Sequence, residues 1–494
     1  MDEAAVERVR SLYRAFEAAF DELHAAVLEK IGNPGQYFSP HNDYPTLSLM
    51  DSGFPIFHEH GFYSDNAPRN YVGVFRPLSL LGALTHRHPE REFPEGAKLI
   101  SLLKGSEFGE RFQLDEPFSG HDVDRMVASA VERYLHVYGT GPLNPDNRGK
   151  VLPRILMGVI RDDYPVTVMV PIALTHFAAD RFRLSRNAYL ARIASGLQLA
   201  RSRMDRRGSG AVAGVVSAAT HAYVSTDWSM PASTIRGVRN GLNDPSQNVL
   251  EEIDVFFAAL RAATGAITGY AQVCMVPRRW SVGYFVDLPP VFGATYRRYP
   301  NSFDNYGWAG SGQSVVTARE LEDVRRLYNL ILGRREERVA IALKRLNSCM
   351  TRDDAVDAIL DATIGLEVLL GDQENQALSY KLRLRAGALA RLSGTRKPSD
   401  VVASVKKIYE VRSAIVHGLK TKKSKKRLLE PEAEPYVAER ATAADMLRFV
   451  IDILLEHPVY LDPLKIDADL LIEPALPQGA GIIEGFEESA EDRL

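Results

Sequence analysis

The sequence predicts an α+β protein, in which a mixed α/β N-terminal region over residues 1–312 precedes an all-α helical bundle over 317–460. Short apolar runs alternate with Gly- and Pro-rich breaks before residue 312, whereas apolar residues recur at helical spacing after residue 317. Between them, the small residues of 310–313 are typical of a linker. The N-terminal region is long enough for two subdomains, and residues 461–494 form a tail whose acidic end we expect to be disordered.

The N-terminal region is expected to open with an amphipathic helix over 4–30, because its apolar residues recur on one stripe at helical spacing. The apolar runs 151–160 and 166–174 flank a polar turn and therefore predict a β-hairpin. Further elements are expected as helices over 186–205 and 249–270 and as a strand between Gly210 and Thr226.

Five helices with short connections are predicted for the C-terminal bundle. Thr317 and Glu320 have the spacing of a capping box, which favours the start of the first helix directly after Thr317. Gly418 is placed to stop the fourth helix. The predicted bounds of the five helices are 318–346, 353–371, 375–392, 400–417 and 437–456.

The overall composition is that of an ordinary globular protein, because 45% of the 494 residues are hydrophobic and 25% are charged. Cys274 and Cys349 are too few for a disulfide framework and lack the spacing of metal ligands. The N-terminus has no signal-peptide core, and no apolar run approaches the roughly 18 residues of a membrane span. We therefore expect a cytoplasmic protein that does not contact a membrane and needs no cofactor.

The charge distribution points to an anionic partner. Residues 375–427 hold 15 Lys or Arg and two acids, so the segment carries +13, and the net charge of −3 leaves −16 for the remainder. A basic segment on an acidic protein suggests RNA, DNA or a nucleotide as partner. A lysine-rich run inside it is either a solvated loop or, as we favour, a phosphate-binding segment. The expected RNA-phosphate ligands are Lys420, Lys422, Lys423, Lys425, Lys426 and Arg427.

Two charged residues fall in the middle of apolar helix faces. Projected at 100° per residue, Arg412 lies at the centre of the apolar face of helix 400–417, which includes Val416, and Glu367 lies at the centre of that of helix 353–371. Because an unpaired buried charge costs several kcal/mol, such charges are found with partners. The pattern therefore predicts that Glu367 contacts Arg412, with Arg383 or Arg385 as the alternative partner.

Arg412 and His417 together provide chemistry that suits a phosphodiester. Arginine keeps its positive charge, and histidine titrates near neutral pH. The five-residue spacing separates them by about 140° around the helix, so they do not share one face. Two structural interpretations stay open: Arg412 only holds the core through Glu367, and His417 only caps the helix end.

Histidine pairs were also considered as metal ligands. His58 with His60, and His86 with His88, would each place two imidazoles on one face of a strand. Neither pair has a matched third ligand in the sequence, so we expect no metal site.

The C-terminal segments 326–332, 342–347, 357–370 and 409–418 resemble the HEPN superfamily and are most similar to the ApeA-like HEPN domains of prokaryotic defence proteins. The specific parts are Leu-Glu-x-Leu-Leu at 366–370 and Tyr-x-x-Arg-Ser-x-x-Val-His-Gly at 409–418. The resemblance covers roughly 317–457, under a third of the chain.

This resemblance implies a helical bundle that forms a homodimer or a higher homo-oligomer. Two Arg-x4-His motifs would meet across the dimer in one composite, metal-free endoribonuclease site, where the 2′-hydroxyl of RNA is the nucleophile. Arg412 would stabilise the transition state and His417 would transfer protons, while Tyr409 and Ser413 would pack or orient them. The N-terminal region would sense a trigger or position the substrate, with tRNA among the candidates.

The biological setting that the resemblance implies is antiviral defence, by abortive infection, or toxin-like growth arrest. Two other classes of function remain open. One is a non-catalytic HEPN scaffold for dimerisation or nucleotide binding, in which Glu367 and Arg412 only hold the core. The other is a substrate-binding subunit of a partner enzyme such as a nucleotidyltransferase.

Overall fold

A computed structural model describes residues 3–59, 66–75, 93–114, 121–204, 209–310, 315–334, 336–374, 376–417 and 436–472. The described residues are largely helical, with an antiparallel sheet in the N-terminal and central part of the chain, so the predicted α+β class is confirmed. The chain divides into two compact units, Met1–Asn329 and Leu330–Leu494. No helix in the described ranges combines the length and the apolar character needed to cross a membrane.

A six-stranded antiparallel sheet forms the centre of the N-terminal unit. Its strand order is β5-β6-β7-β3-β8-β9. Two smaller two-stranded sheets pair β1 with β2 and β10 with β4. The strands are β1 Pro45–Leu49, β2 Pro55–Glu59, β3 Asp163–Ala173, β4 His176–Phe177, β5 Arg181–Arg183, β6 Ala188–Arg192, β7 His221–Pro231, β8 Gly269–Pro277, β9 Phe292–Arg298 and β10 Val315–Val316.

Helices surround this sheet in the N-terminal unit. Short 3-10 helices lie at Val72–Phe75, Asn301–Asn305 and Gly307–Ala309. The α-helices that begin in this unit are α1 Glu3–Gly32, α2 Pro94–Lys104, α3 Gly109–Phe112, α4 His121–Tyr138, α5 Pro145–Ile160, α6 Ser195–Ser202, α7 Ala213–Ser217, α8 Ile235–Asn243, α9 Gln247–Thr264 and α10 Ala318–Leu332.

The central strands are buried on both faces because helices pack on each side. On one face, Tyr223 of β7 stacks on Phe256 of α9, with ring centroids 4.4 Å apart. On the other face, Ala222 joins a core cluster with Ile193 and Met204. Neighbouring residues of a strand point to opposite faces, so the sheet needs apolar residues at consecutive positions here.

The predicted hairpin over 151–174 is half wrong. Residues 166–173 form the greater part of β3, but 151–160 are the C-terminal part of helix α5. Asn144 caps this helix, because its side chain accepts hydrogen bonds from the backbone N–H groups of Asp146 and Asn147. Pro145 at the first helical position fits the same start. The apolar residues of 151–160 therefore belong to the buried face of a helix and not to a strand.

Three other predictions for this region need correction, whereas the helix predicted over 4–30 is confirmed as α1. Residues 186–205 contain strand β6 and the short helix α6 in place of one helix, because β6 pairs with β7. The stretch 210–226 contains α7 before β7 begins at His221. Helix α9 ends at Thr264, since Gly265 adopts a left-handed conformation with φ of 69°.

Five longer helices fill the described part of the C-terminal unit. Helices α12 and α15 approach closely at Gly365, where a Cβ atom would lie 2.8 Å from a methyl carbon of Leu447. A 3-10 helix lies at Pro458–Leu461 and a π-helical turn at Asp467–Ile472. The α-helices are α11 Glu337–Thr351, α12 Ala355–Leu370, α13 Leu378–Ser393, α14 Pro398–Val416, α15 Val437–Glu456 and α16 Pro463–Ile466.

Four of the five predicted bundle helices agree with α12 to α15, but the predicted helix 318–346 is two helices. The capping box of Thr317 and Glu320 is present, with reciprocal contacts of 2.8 and 3.3 Å, and it starts α10. Helix α10 ends at Leu332, and Glu336 is extended before α11 begins. The division into units falls inside α10, after Asn329. Tyr328 and Asn329 are the last residues of the N-terminal unit and contact Tyr223 and Leu184 within it.

The first part of the predicted tail is ordered. Asp467 accepts hydrogen bonds from the guanidinium of Arg385 at 2.8 Å and 2.5 Å. Asp372 and the carbonyl oxygen of Leu370 bind the same guanidinium. These contacts connect residues 463–472 to α13. Residues 473–494, which include the acidic end, lie outside the described part of the chain.

Candidate functional site

The predicted ion pair between Glu367 and Arg412 is confirmed. Glu367 lies in the last turn of α12 and Arg412 in the second-last turn of α14, and the two helices pack against each other. Nη2 of Arg412 lies 3.1 Å from Oε1 of Glu367. The side chains are 34% and 21% exposed, so the pair sits at the edge of the core and not inside it.

Tyr409 completes a three-residue cluster with this pair. Its hydroxyl donates a 2.8 Å hydrogen bond to the same Oε1 atom of Glu367. The guanidinium carbon of Arg412 lies 5.7 Å from the centroid of the Tyr409 ring. Burial and the Glu367 carboxylate raise the pKa of Tyr409, so its hydroxyl remains a proton donor at neutral pH. The orienting role expected for Tyr409 has a direct geometric basis.

The guanidinium of Arg412 has donors that the ion pair does not use. Only its Nη2 atom contacts Glu367. Its Nε atom is buried and finds no hydrogen-bond partner in the described part of the chain. A buried donor without a partner loses the hydrogen bond it would make in water, which costs about 1–3 kcal/mol. The capacity to bind an external acceptor therefore lies in the exposed third of the side chain and not in Nε.

Neither alternative partner, Arg383 or Arg385, pairs with Glu367. Arg385 binds Asp372 and Asp467, as described above. Arg383 lies over the ring of Tyr380, with its guanidinium carbon 4.8 Å from the centroid.

His417 ends helix α14 and is exposed. Its backbone N–H donates to the carbonyl oxygen of Ser413 at 3.0 Å, which closes the last turn. No side chain among the described residues forms a hydrogen bond or an ion pair with the His417 imidazole. Val416, which the periodicity assigned to the apolar face, is 59% exposed. The last turn of α14 therefore leaves the core and presents both side chains to solvent.

The remaining predicted site residues are divided between the surface and the undescribed segment. Ser413 is exposed and contributes its carbonyl oxygen, not its hydroxyl, to the helix end. The run from Lys420 to Arg427 that we expected to bind phosphate, and Gly418, which we expected to stop the helix, lie outside the described residues.

A second polar cluster lies in the N-terminal unit and was not predicted from the sequence. It comprises His41, in a loop before β1, and Glu132 and His136, one turn apart on α4. The Nε2 atoms of both histidines lie 3.0 Å from Oε1 of Glu132. Burial would raise the pKa of Glu132, but hydrogen bonds from His136, His41 and the backbone of Val72 lower it to about 2.

The sequence contained one signal for this cluster. Glu132 and His136 have the i,i+4 spacing that brings two side chains together on one helix face. His41 is 91 residues away from Glu132 and no local pattern connects the two. Of the pairs considered earlier, His58 forms a 2.8 Å hydrogen bond with Ser48 on the neighbouring strand. His60, His86 and His88 lie outside the described residues.

A cavity of about 440 Å³ adjoins the second cluster. Both His41 and Glu132 line it, together with the arginines Arg125, Arg203 and Arg239. Arg203 lies over the ring of Phe285, and Arg239 pairs with Asp122 at 3.1 Å. The lining thus combines a carboxylate, an imidazole, basic groups and an aromatic wall.

Comparison with known proteins identifies no relative: no protein-family model, no curated protein and no solved structure matches this chain.

Proposed function

We propose that the chain is a metal-independent endoribonuclease of the HEPN type, with Arg412 and His417 as its catalytic residues. One observation carries the proposal: Glu367 anchors Arg412 at its Nη2 atom, yet a third of the arginine remains exposed near the helix end that presents His417. An anchored but accessible guanidinium and an accessible imidazole near one helix end suit catalysis on a phosphodiester better than they suit a core.

Arg412 would bind the phosphate and stabilise the negative charge of the transition state. Preorganised donors aimed at developing charge are typically the largest single contribution to catalysis. Glu367 and Tyr409 restrict the side chain before substrate binds, which reduces the reorganisation required. The exposed part of the guanidinium supplies the donors for phosphate oxygens.

His417 would transfer protons. As a base it would take the proton of the 2′-hydroxyl, which then attacks the adjacent phosphorus and forms the bond of a 2′,3′-cyclic phosphate. The bond to the leaving 5′-oxygen breaks at the same centre, and a protonated imidazole supplies the proton to that oxygen. DNA lacks the 2′-hydroxyl and would not be cut.

A homodimer would provide both histidines and place them beside an arginine. Within one helix the two residues point about 140° apart, so they do not contact one phosphate from the same face. A two-fold axis near the end of α14 would bring Arg412 of one chain towards His417 of the other. The exposed Val416 supplies apolar surface at that helix end. The +13 charge of residues 375–427 favours RNA as the partner of this surface.

The biological setting that we propose is prokaryotic antiviral defence or toxin-like growth arrest, in the cytoplasm. The N-terminal unit would then control access to RNA or sense the trigger. This setting follows from the family resemblance of the C-terminal segments.

The second candidate function is a non-catalytic scaffold. The contacts of Glu367 with both Arg412 and Tyr409 favour it, because the same triad would hold α12 and α14 together without any substrate. In that case Arg412 contributes to stability and His417 is dispensable.

The test is RNA cleavage by the purified full chain and its His417→Ala variant. Total tRNA and a single-stranded RNA are incubated with each protein, with and without EDTA, and the fragment ends are analysed. A DNA oligonucleotide of the same sequence serves as the substrate control. His457→Ala is the matched protein control, because His457 also follows the last residue of a helix in the same unit.

We expect wild type and His457→Ala to cut RNA in EDTA and to leave cyclic-phosphate ends, and His417→Ala to lose cleavage. Equal cleavage by His417→Ala would refute the assigned role. Absence of cleavage by every protein, combined with dissociation or unfolding of Arg412→Ala, would favour the scaffold.

A further inference from the structure

The three polar side chains of His41, Glu132 and His136 are arranged like the ligands of one metal ion. Each Nε2 atom lies 3.0 Å from Oε1 of Glu132, and all three ligand atoms lie within 4.8 Å of one another. Ligand atoms about 2.1 Å from a shared ion, at angles near 90–110°, are separated by roughly 3.0–3.4 Å. The two measured distances fall at the short end of that range.

The backbone fixes these ligands in place. The segment of His41 pairs with the segment of Arg69: the N–H of His41 donates to Pro68 at 2.7 Å, and that of Asn70 donates to Ser39 at 2.8 Å. Glu132 and His136 are one turn apart on the regular helix α4. The N–H of Val72 donates to Oε2 of Glu132 at 2.8 Å and orients the carboxylate. Ligands held in this way are partly preorganised for an ion.

The imidazole rings are also positioned by their neighbours. The ring of His41 meets Phe285 edge to face, with centroids 5.3 Å apart. The ring of His136 lies against Tyr71, with centroids 5.2 Å apart. The carbonyl oxygen of Arg69 lies 2.9 Å from Nε2 of His136 and restricts the position of the ring.

The adjacent cavity leaves room for exogenous ligands. Structural zinc sites are closed by four protein ligands, whereas catalytic sites have three and an open position. Here the side chains supply three ligands, and two of them line a cavity of about 440 Å³. Arg125, Arg203 and Arg239 line the cavity, where Arg203 pairs with Asp43 and both Arg125 and Arg239 pair with Asp122.

We propose that His41, Glu132 and His136 bind a divalent transition-metal ion whose open coordination position faces this cavity. Two imidazoles and one carboxylate suit zinc and its neighbours in the first transition row better than magnesium or calcium, which prefer oxygen ligands. With neutral imidazoles, the carboxylate leaves a bound divalent ion with one net positive charge, which attracts an anionic ligand.

The competing interpretation is a purely structural cluster. Glu132 is a buried carboxylate, and both histidines together with the backbone of Tyr71 and Val72 would donate hydrogen bonds to it. Such a cluster needs protonated Nε2 atoms, whereas a metal ion needs their lone pairs. The metal site therefore predicts that each chain binds one ion, whereas the structural cluster predicts no stoichiometric binding.

The experiment is titration of the tag-free, chelator-treated full chain with Zn²⁺ in a calorimeter and with Co²⁺ in a spectrophotometer. Co²⁺ reports its coordination by visible d–d absorption. We expect one ion to bind per chain and Zn²⁺ to raise the melting temperature. His136→Gln, which retains a hydrogen-bond donor for Glu132, should bind at least on the order of 10- to 100-fold more weakly.

His58→Gln is the matched control, because it makes the same change in the same unit outside the cluster. We expect it to bind Zn²⁺ like wild type. No stoichiometric binding by a folded wild type would overturn the proposal, as would unchanged binding by folded His136→Gln. Loss of Zn²⁺ binding in His58→Gln, with binding retained in His136→Gln, would show that the ion binds at a different site. That result would also overturn the proposal.

Discussion

The Nη2 atom of Arg412 and the hydroxyl of Tyr409 converge on one oxygen of Glu367, at 3.1 and 2.8 Å. Tyr409 and Arg412 are three residues apart on α14, so they occupy adjacent positions on one helix face. One carboxylate of α12 thus holds both side chains of α14. This arrangement determines how the site responds to substitution.

Replacement of Arg412 by lysine separates catalysis from stability. Lysine keeps the positive charge near Glu367, but it lacks the planar guanidinium that binds two phosphate oxygens. If Arg412 is catalytic, Arg412→Lys should reduce kcat/KM for RNA cleavage by about 100-fold and lower the free energy of unfolding by about 1 kcal/mol or less. Steady-state cleavage and urea denaturation measure the two effects. Full activity of a folded Arg412→Lys would contradict the catalytic role.

Removal of the Tyr409 hydroxyl tests the orienting contact. Tyr409→Phe deletes one donor to Glu367 and should lower the free energy of unfolding by about 1 kcal/mol. Tyr380→Phe is the control, because the side chain of Tyr380 in the same unit is exposed. Urea denaturation of both variants gives the comparison. Equal stabilities would show that the Tyr409 hydrogen bond makes no net contribution.

The guanidinium of Arg385 is buried between two carboxylates. Arg385→Met leaves Asp372 and Asp467 without their cation and should destabilise the C-terminal unit by about 3–5 kcal/mol, as expected for one partner removed from a buried ion pair. Arg383→Met on the same helix is the control and should cost much less. Thermal and urea denaturation of the full chain measure the loss. A wild-type melting curve for Arg385→Met would contradict the ordered contact of Asp467 with α13.

The buried imidazole of His221 should make the N-terminal unit sensitive to acid. Burial, followed by the positive charge of Arg192, lowers its pKa from 6.5 to about 4. The unfolded chain therefore binds more protons than the folded chain between pH 6.5 and 4, and stability falls as the pH decreases through this window. Melting temperatures across this range should fall more steeply for wild type than for His221→Gln. Equal dependence of the melting temperature on pH in the two proteins would exclude a contribution of His221 to acid sensitivity.

The helices of the C-terminal bundle were largely predictable from the sequence, because their signals are local. Apolar residues at helical spacing located α12 to α15 with small errors at the ends. The rule that buried charges need partners selected Glu367 for Arg412, although the two are 45 positions apart. The same pattern wrongly included Val416, because periodicity does not show where a helix leaves the core.

The N-terminal unit was less predictable, because short apolar runs are compatible with strands and helices. Residues 151–160 have the composition of a strand but form a helix that Asn144 caps. Residues 188–192 have a helical composition but form β6, because β7 provides hydrogen bonds along its edge. In both cases an interaction outside the run decides its conformation.

The sequence by itself determined the α+β class, the helical C-terminal part and the pairing of Glu367 with Arg412, since these depend on periodicity and on the cost of burying charge. Only the tertiary structure decided that His41 meets Glu132 and His136. Backbone pairing joins the segments of His41 and Arg69, and the N–H groups of Tyr71 and Val72 then bind Glu132 of α4, contacts that no local pattern encodes. A contact between residues far apart in sequence depends on the path of the whole chain between them.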